Sequence, residues 1–251
     1  MSSHQKLRVL VWDENPSHAS KGLYPHGIRG GVLDGLVECD STKLFEVKAV
    51  HLDEPEQGLS DEILANTDVL LWWGHARHGE VADELAERVA KRVQEGGMGF
   101  IALHSAHYSK AFKKVVNGKG DLKGGWREST DTEEITVCAP WHPIAEGIEN
   151  FVIGHEEMYG GPFDVPPHEV IVLQSYFPLG GEVFPSGICW TVGAGIDPTF
   201  TSGPGGGVGQ GKGIGRVFYF RPGHETYPTY LDPRVRKVIF NAVKWAGKLT
   251  G

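Results

Sequence analysis

The apolar positions of the chain follow two alternating periods. LeuArgValLeuValTrp (7–12), 68–73 and 98–103 are nearly continuous apolar runs. They are too short for independent helices, and they predict strands buried on both faces. PheGluValLysAlaVal (45–50) alternates as a strand should. Between these runs the period changes. Ile28, Val32, Leu33 and Leu36 recur at helical spacing over 27–38, and Val81, Leu85, Val89 and Val93 do so over 81–94. Gly96 and Gly97 close the second helix. Strands separated by helices of this length predict parallel βαβ units.

The second half is less regular. Residues 133–138, 171–176 and 214–220 read as strands, and 235–245 as a closing helix. ProTrpHisPro (140–143), HisGluGluMetTyrGlyGlyPro (155–162) and AspValProProHis (164–168) are dense in proline and glycine, which marks ordered loops. No repeat or boundary interrupts the pattern. The expected architecture is one α/β domain over residues 1–251, a mainly parallel, flavodoxin-like sheet with helices on both faces.

Composition narrows the function. A net charge of −8 argues against a nucleic-acid binder. No apolar run reaches the ~20 residues of a membrane span, and the polar start lacks a signal segment, so a cytoplasmic location is expected. Cys39, Cys138 and Cys189 form no CxxC pair, which disfavours a disulfide framework or thiolate zinc site.

The chemistry concentrates where the strands end. The run 70–73 leads into His75 and His78, and 100–103 into His104 and His107. The run 217–221 leads into His224 and Glu225, and 9–12 into Asp13, Glu14 and His18. In an open parallel sheet these ends share the ligand-binding edge. Converging imidazoles there point to a metal site, to acid–base chemistry, or to both. The i, i+3 pairs His75–His78 and His104–His107 are expected to place both rings on one side of a first helical turn. A subset of these four with His224 and Glu157 would suit a divalent ion, zinc first. The alternative for each ring alone is a structural hydrogen bond.

Other motifs are weaker. GlyGlyValGlyGlnGlyLysGly (206–213) has the spacing of a phosphate loop, but Gly213 replaces the Ser or Thr and a strand follows instead of a helix. No GxGxxG follows the first strand. No nucleotide cofactor is therefore expected, and residues 201–213 are read as a mobile lid or hairpin beside the site. Residues 97–105 have the layout of a nucleophile elbow with His104 at the turn and Ser105 next. The flanking Leu103 and Ala106 lack the glycines that ease a strained turn, which disfavours a Ser105 nucleophile. Glu156 and Glu157 are either solvated or pocket carboxylates. Trp12 and Trp73, at strand ends, are expected to offer indole faces to a sugar.

Longer motifs carry a resemblance. ValTrpAspGluAsn (11–15), LeuAspGluProGluGlnGlyLeu (52–59), TrpTrpGlyHisAlaArgHis (72–78), IleAlaLeuHisSerAlaHis (101–107), HisProIle (142–144), GluGluMetTyrGly (156–160), GlyGlyGluValPhe (180–184) and PheTyrPheArgProGlyHisGlu (218–225) span most of the chain. They resemble the ThuA-like, trehalose-utilisation family. The resemblance implies a fold like the class I glutamine amidotransferases and a role with trehalose or related disaccharides through 3-keto derivatives. It also implies that glutaminase chemistry is lost, because His104 and Ser105 occupy the region of the amidotransferase cysteine. Under it, His104, Glu157 and His224 are the catalytic candidates, and Trp12, His18, Tyr159 and Arg221 shape the sugar pocket. His75, His104 and His224 are the metal candidates. The expected partner is a small carbohydrate, with self-association left open. A sugar-binding protein without turnover is the competing reading.

Overall fold

The computed structural model describes residues 6–19, 21–129, 131–193 and 214–250. The expected lid at 201–213 lies outside them. In chain order the elements are β1 (Leu7–Asp13), α1 (Gly27–Cys39), β2 (Phe45–His51), α2 (Asp61–Ala65), β3 (Val69–Trp73), α3 (Asp83–Gln94), β4 (Gly99–Leu103) and α4 (Lys110–Val116). There follow the short β5 (Asp121–Leu122) and β6 (Trp126–Arg127), then β7 (Glu133–Val137), β8 (Phe151–Ile153), β9 (Met158–Tyr159) and β10 (Phe163–Asp164). The chain continues with β11 (Val170–Phe177), β12 (Glu182–Val192), β13 (Gly215–Phe220) and α5 (Pro233–Ala246).

Nine strands form one sheet in the order β2-β1-β3-β4-β13-β12-β11-β7-β8. The first five run parallel, and β12, β11, β7 and β8 extend the sheet antiparallel. The continuous apolar runs have a direct cause. Val9 and Val11, Val69 and Leu71, Ile101 and Leu103, and Phe218 and Phe220 pack on one face with α1 and α5. Leu10 and Trp12, Leu70 and Trp72, Phe100 and Ala102, and Val217 and Tyr219 pack on the other with α3 and α4. Each strand therefore buries both of its alternating faces. The expected elements are present, with α3 starting at Asp83 instead of 81. The long β12 is an addition. Its proline, glycine and mixed polarity hide a strand in the sequence pattern.

His142, beside the loop into β8, accepts the Ile144 N–H at its Nδ1 (3.2 Å). Burial, helped by the Arg216 charge, lowers its pKa to about 4. The unfolded chain then binds a proton that the folded chain refuses, so stability falls as pH drops from about 6.5 toward 4. His142→Asn keeps an acceptor for that N–H and removes the titration. Urea unfolding at pH 7 and pH 4.5 is expected to show a smaller acid loss in the variant than in the parent. Equal losses would mean that His142 does not contribute to the acid sensitivity.

Candidate active site

The strand ends are level. Asp13 lies opposite Trp73, Trp73 opposite Leu103, and Leu103 opposite Phe220. The chain therefore leaves four adjacent strands side by side, and the residues just beyond them meet. His75, His104 and His224 pack with ring centroids 5.2–5.6 Å apart. With Glu225 they present ligand atoms all within 4.8 Å of one another. Glu225 is the member that the strand-end pattern does not single out as a metal candidate, although it directly follows His224.

Glu225 holds the group together. Its Oε1 takes His75 Nδ1 at 2.7 Å and also bonds His18 Nε2. Burial pushes the Glu225 carboxyl up, but the His75 hydrogen bond and the surrounding imidazoles bring it down to about 2. Burial likewise opposes charge on His75, and Glu225, with Glu157 and Glu14, raises its pKa nonetheless. For His224, burial and then the neighbouring His104 lower it. Glu225 Oε2 is buried without a hydrogen-bond donor among the described residues. An orphaned carboxylate oxygen beside three imidazoles makes a donor set that fits a divalent cation such as zinc.

His104 occupies the turn after β4 with φ of 54°. The strained turn forms without flanking glycines, with His104 itself at the positive φ. Histidine is among the residues that tolerate this region better than most. The positive φ separates the His104 ring from the 3-10 turn that continues to Tyr108. His104 Nδ1 lies 3.1 Å from the Arg221 carbonyl, which can only accept, so Nδ1 carries a proton and Nε2 faces inward. Nε2 lies 3.2 Å from Glu157 Oε2 and 3.3 Å from the Tyr159 hydroxyl. Burial would raise the Glu157 carboxyl, but the His104 hydrogen bond and charge outweigh it, and the net shift is downward. Burial, then the Glu157 charge, hold the Tyr159 phenol protonated well above its ordinary range. Ser105 bonds the Tyr159 hydroxyl at 2.5 Å, a phenol and not the base a serine nucleophile requires.

The paired glutamates are not solvated. Glu156 is fully buried; it accepts the Gly223 N–H at 2.9 Å, bonds Thr229, and lies 3.3 Å from Arg221. Arg221, also fully buried, spans Glu133 and the Glu157 carbonyl. Burial works against its charge, and Glu133 and Glu156 more than restore it. Gly223 adopts φ of 131°, and a Cβ there would meet the Tyr230 hydroxyl at 2.0 Å, so only glycine brings His224 back toward the cluster. Glu14 secures the opposite side by accepting the N–H groups of Ala76 (2.6 Å) and Arg77 (2.9 Å), next to His75.

Several expected roles move. Trp12 stacks on Trp72 at 3.9 Å and is 1% exposed, so it is core and offers no face to a sugar. Trp73 is equally enclosed, donating to the Gly223 carbonyl behind His104. Arg221 supports Glu157 from below and cannot reach a ligand directly. His107 lies apart from the cluster, donating to the Gly120 carbonyl, and burial lowers its pKa to about 3. His78 is also outside the four-residue group, and burial followed by the His75 charge lowers it to about 4. Both instead line a cavity of about 590 Å³ with His75, Ser105, Glu157 and Tyr159. His18 is half-exposed above Glu225.

Comparison with known proteins agrees with this fold. Residues 8–246 match the family model described as ThuA, trehalose utilisation. No curated protein sequence matches the chain. Among solved structures, a ThuA-like protein of Parabacteroides merdae superposes with a TM-score of 0.65 at 15% identity, covering 98% of this chain and 91% of that one. PurLQS of Thermotoga maritima gives 0.53 at 14%, with 96% and 99% covered. A GMP synthase component of Thermoplasma acidophilum gives 0.51 at 11%, with 98% and 96% covered. The architecture is that of the class I glutamine amidotransferases, with a parallel core and an antiparallel extension.

Proposed function

The chain belongs to the ThuA, trehalose-utilisation family, and from that premise we propose that it is an enzyme acting on a keto derivative of trehalose or a related disaccharide. The observation that carries the reading is the buried carboxylate–imidazole pair, Glu157 Oε2 and His104 Nε2 at 3.2 Å, with Glu157 on the wall of a cavity of sugar size and His104 buried behind it. A proton on a carbon next to a ketone is acidic enough for a carboxylate base in a dry site. Glu157, held ionised, would take it. Tyr159 would supply or return a proton at oxygen. His75, His104, His224 and Glu225 would hold a divalent ion, whose contribution when bound is Lewis-acid polarisation of the carbonyl oxygen.

No thiol stands at this edge among the described residues: Cys189 is buried in β12, Cys138 is exposed and Cys39 ends α1. We therefore infer that the protein lacks glutaminase activity. The test is incubation of the protein as purified with 3-keto-trehalose in D2O, followed by NMR. Deuterium entry beside the keto group, or product formation, is expected, and both should fall after chelation and return with zinc. Saturable binding of the keto sugar with neither exchange nor product would make the protein a binder and overturn the enzymatic reading. Turnover that is indifferent to chelation, in protein shown to carry no metal, would remove the cation from the proposal.

A further inference from the structure

The cavity has an outer wall that the chemistry above does not use. It is built from residues 121–127, a flap laid across residues 158–164. Two short antiparallel pairs secure it, β5 with β10 and β6 with β9, and the second sets Trp126 directly opposite Tyr159. Between them Gly124 crosses Gly160 so closely that a Cβ on either would lie 2.5 Å from the other segment's backbone. Arg127, the next residue, is anchored to Glu182 at 2.6 Å and Asp131 at 3.1 Å. The backbone is secured on both sides, yet Trp126 is left 65% exposed on the cavity wall.

The other tryptophans each have a ring partner, although Trp141 is more exposed at 73%. Trp12 and Trp72 stack together, Trp73 lies against His75 and His104, Trp190 meets Phe112, and Trp141 and Trp245 both contact His142. Trp126 makes no ring, cation–π or side-chain hydrogen-bonding contact among the described residues. An indole on a secured backbone with no protein partner for its ring is an open surface for a ligand. The registered pairing fixes its distance class: one strand spacing separates it from Tyr159, whose hydroxyl touches His104 and Ser105. A ligand with one ring at Glu157 would place a second ring over the indole. Nearby, Asp121 and Lys123 pair at 3.2 Å and offer polar atoms to hydroxyl groups.

We propose that Trp126 forms an outer subsite that binds the non-reacting ring of a two-ring sugar, making the site selective for disaccharides over monosaccharides. This rests on the carbohydrate reading above and names a residue that sets its specificity. The C–H face of a pyranose matches the flat apolar indole, and the flap keeps the ring open to receive it.

The test compares the parent with Trp126→Ala and Trp126→Phe. Calorimetry with trehalose and with glucose reads affinity, and turnover of 3-keto-trehalose reads kcat and KM separately. Trp126→Ala is expected to weaken trehalose binding and raise KM by about tenfold, the effect of losing roughly 1.4 kcal/mol of ring contact. Glucose affinity and kcat should stay unchanged, and Phe should restore most of the loss. Thermal unfolding should match the parent because the ring is exposed. Unchanged trehalose affinity in Trp126→Ala, or equal loss for both sugars, would overturn the subsite while leaving the catalytic reading intact. Selective trehalose binding without turnover would support the subsite and sink the catalysis. A parent that binds neither trehalose nor keto-trehalose would reject both. A variant that changes only oligomeric state would assign Trp126 to self-association instead.

Discussion

Glu157→Gln is expected to lower turnover of a 3-keto disaccharide by about a hundredfold or more, the usual scale for a lost general base. The substitution keeps shape and a hydrogen-bonding oxygen but removes the charge that His104 holds in place. Substrate affinity should change little, because the amide fills the same volume at 3% exposure. His104→Asn should show a comparable loss. Asparagine tolerates the 54° backbone angle that alanine does not, so the fold survives the change. Single-turnover kinetics on both variants, with circular dichroism to confirm folding, checks this. Full activity in folded Glu157→Gln would remove Glu157 as the base. A loss of Tm with activity per folded molecule intact in His104→Asn would make His104 structural.

Arg221→Met is expected to destabilise the fold by about 3–5 kcal/mol, the cost of leaving a buried ion unpaired. For a chain of this length that corresponds to a fall in Tm of about 6–20 °C. The guanidinium compensates Glu133 and Glu156, and all three side chains are fully enclosed. Removing the cation leaves both buried carboxylates without their counter-charge. The double variant Arg221→Met/Glu133→Gln should recover part of the loss, since one stranded charge is gone. Urea denaturation of the single and double variants measures it. A single-variant loss under about 1 kcal/mol, the scale of an exposed ion pair, would show that the carboxylates are already neutral or hydrated. The contrast with Glu157→Gln separates support from chemistry: Arg221 is expected to act on stability, Glu157 on turnover.

The strand-end histidines are legible in the sequence because two local facts coincide. A continuous apolar run identifies a buried strand, and a polar residue directly after it lies at the strand's end whatever the rest of the chain does. His75, His104 and His224 each follow such a run, and they meet. The i, i+3 spacing misleads for a reason that is also local. It assumes a regular turn, whereas His104 takes a positive φ and turns its ring away from His107. Trp12 misleads because a strand-end indole looks the same in sequence whether it faces solvent or, as here, stacks on Trp72 one strand away. Trp126 carries no signal at all, since its two-residue strand is too short to show a period.

What the amino-acid order settles by itself is the parallel α/β core and the family, because burial on both faces and helical spacing are short-range patterns. Tertiary structure decides the rest. Only the level register of β1, β3, β4 and β13 brings residues 14, 75, 104 and 224 to one place. Only packing turns Glu156 toward Arg221 and its neighbour Glu157 toward His104. Adjacent identical residues have the same chemistry in the unfolded chain. They acquire different roles when one faces a buried cation and the other an imidazole, since partner and position, and not residue type, set what each one does.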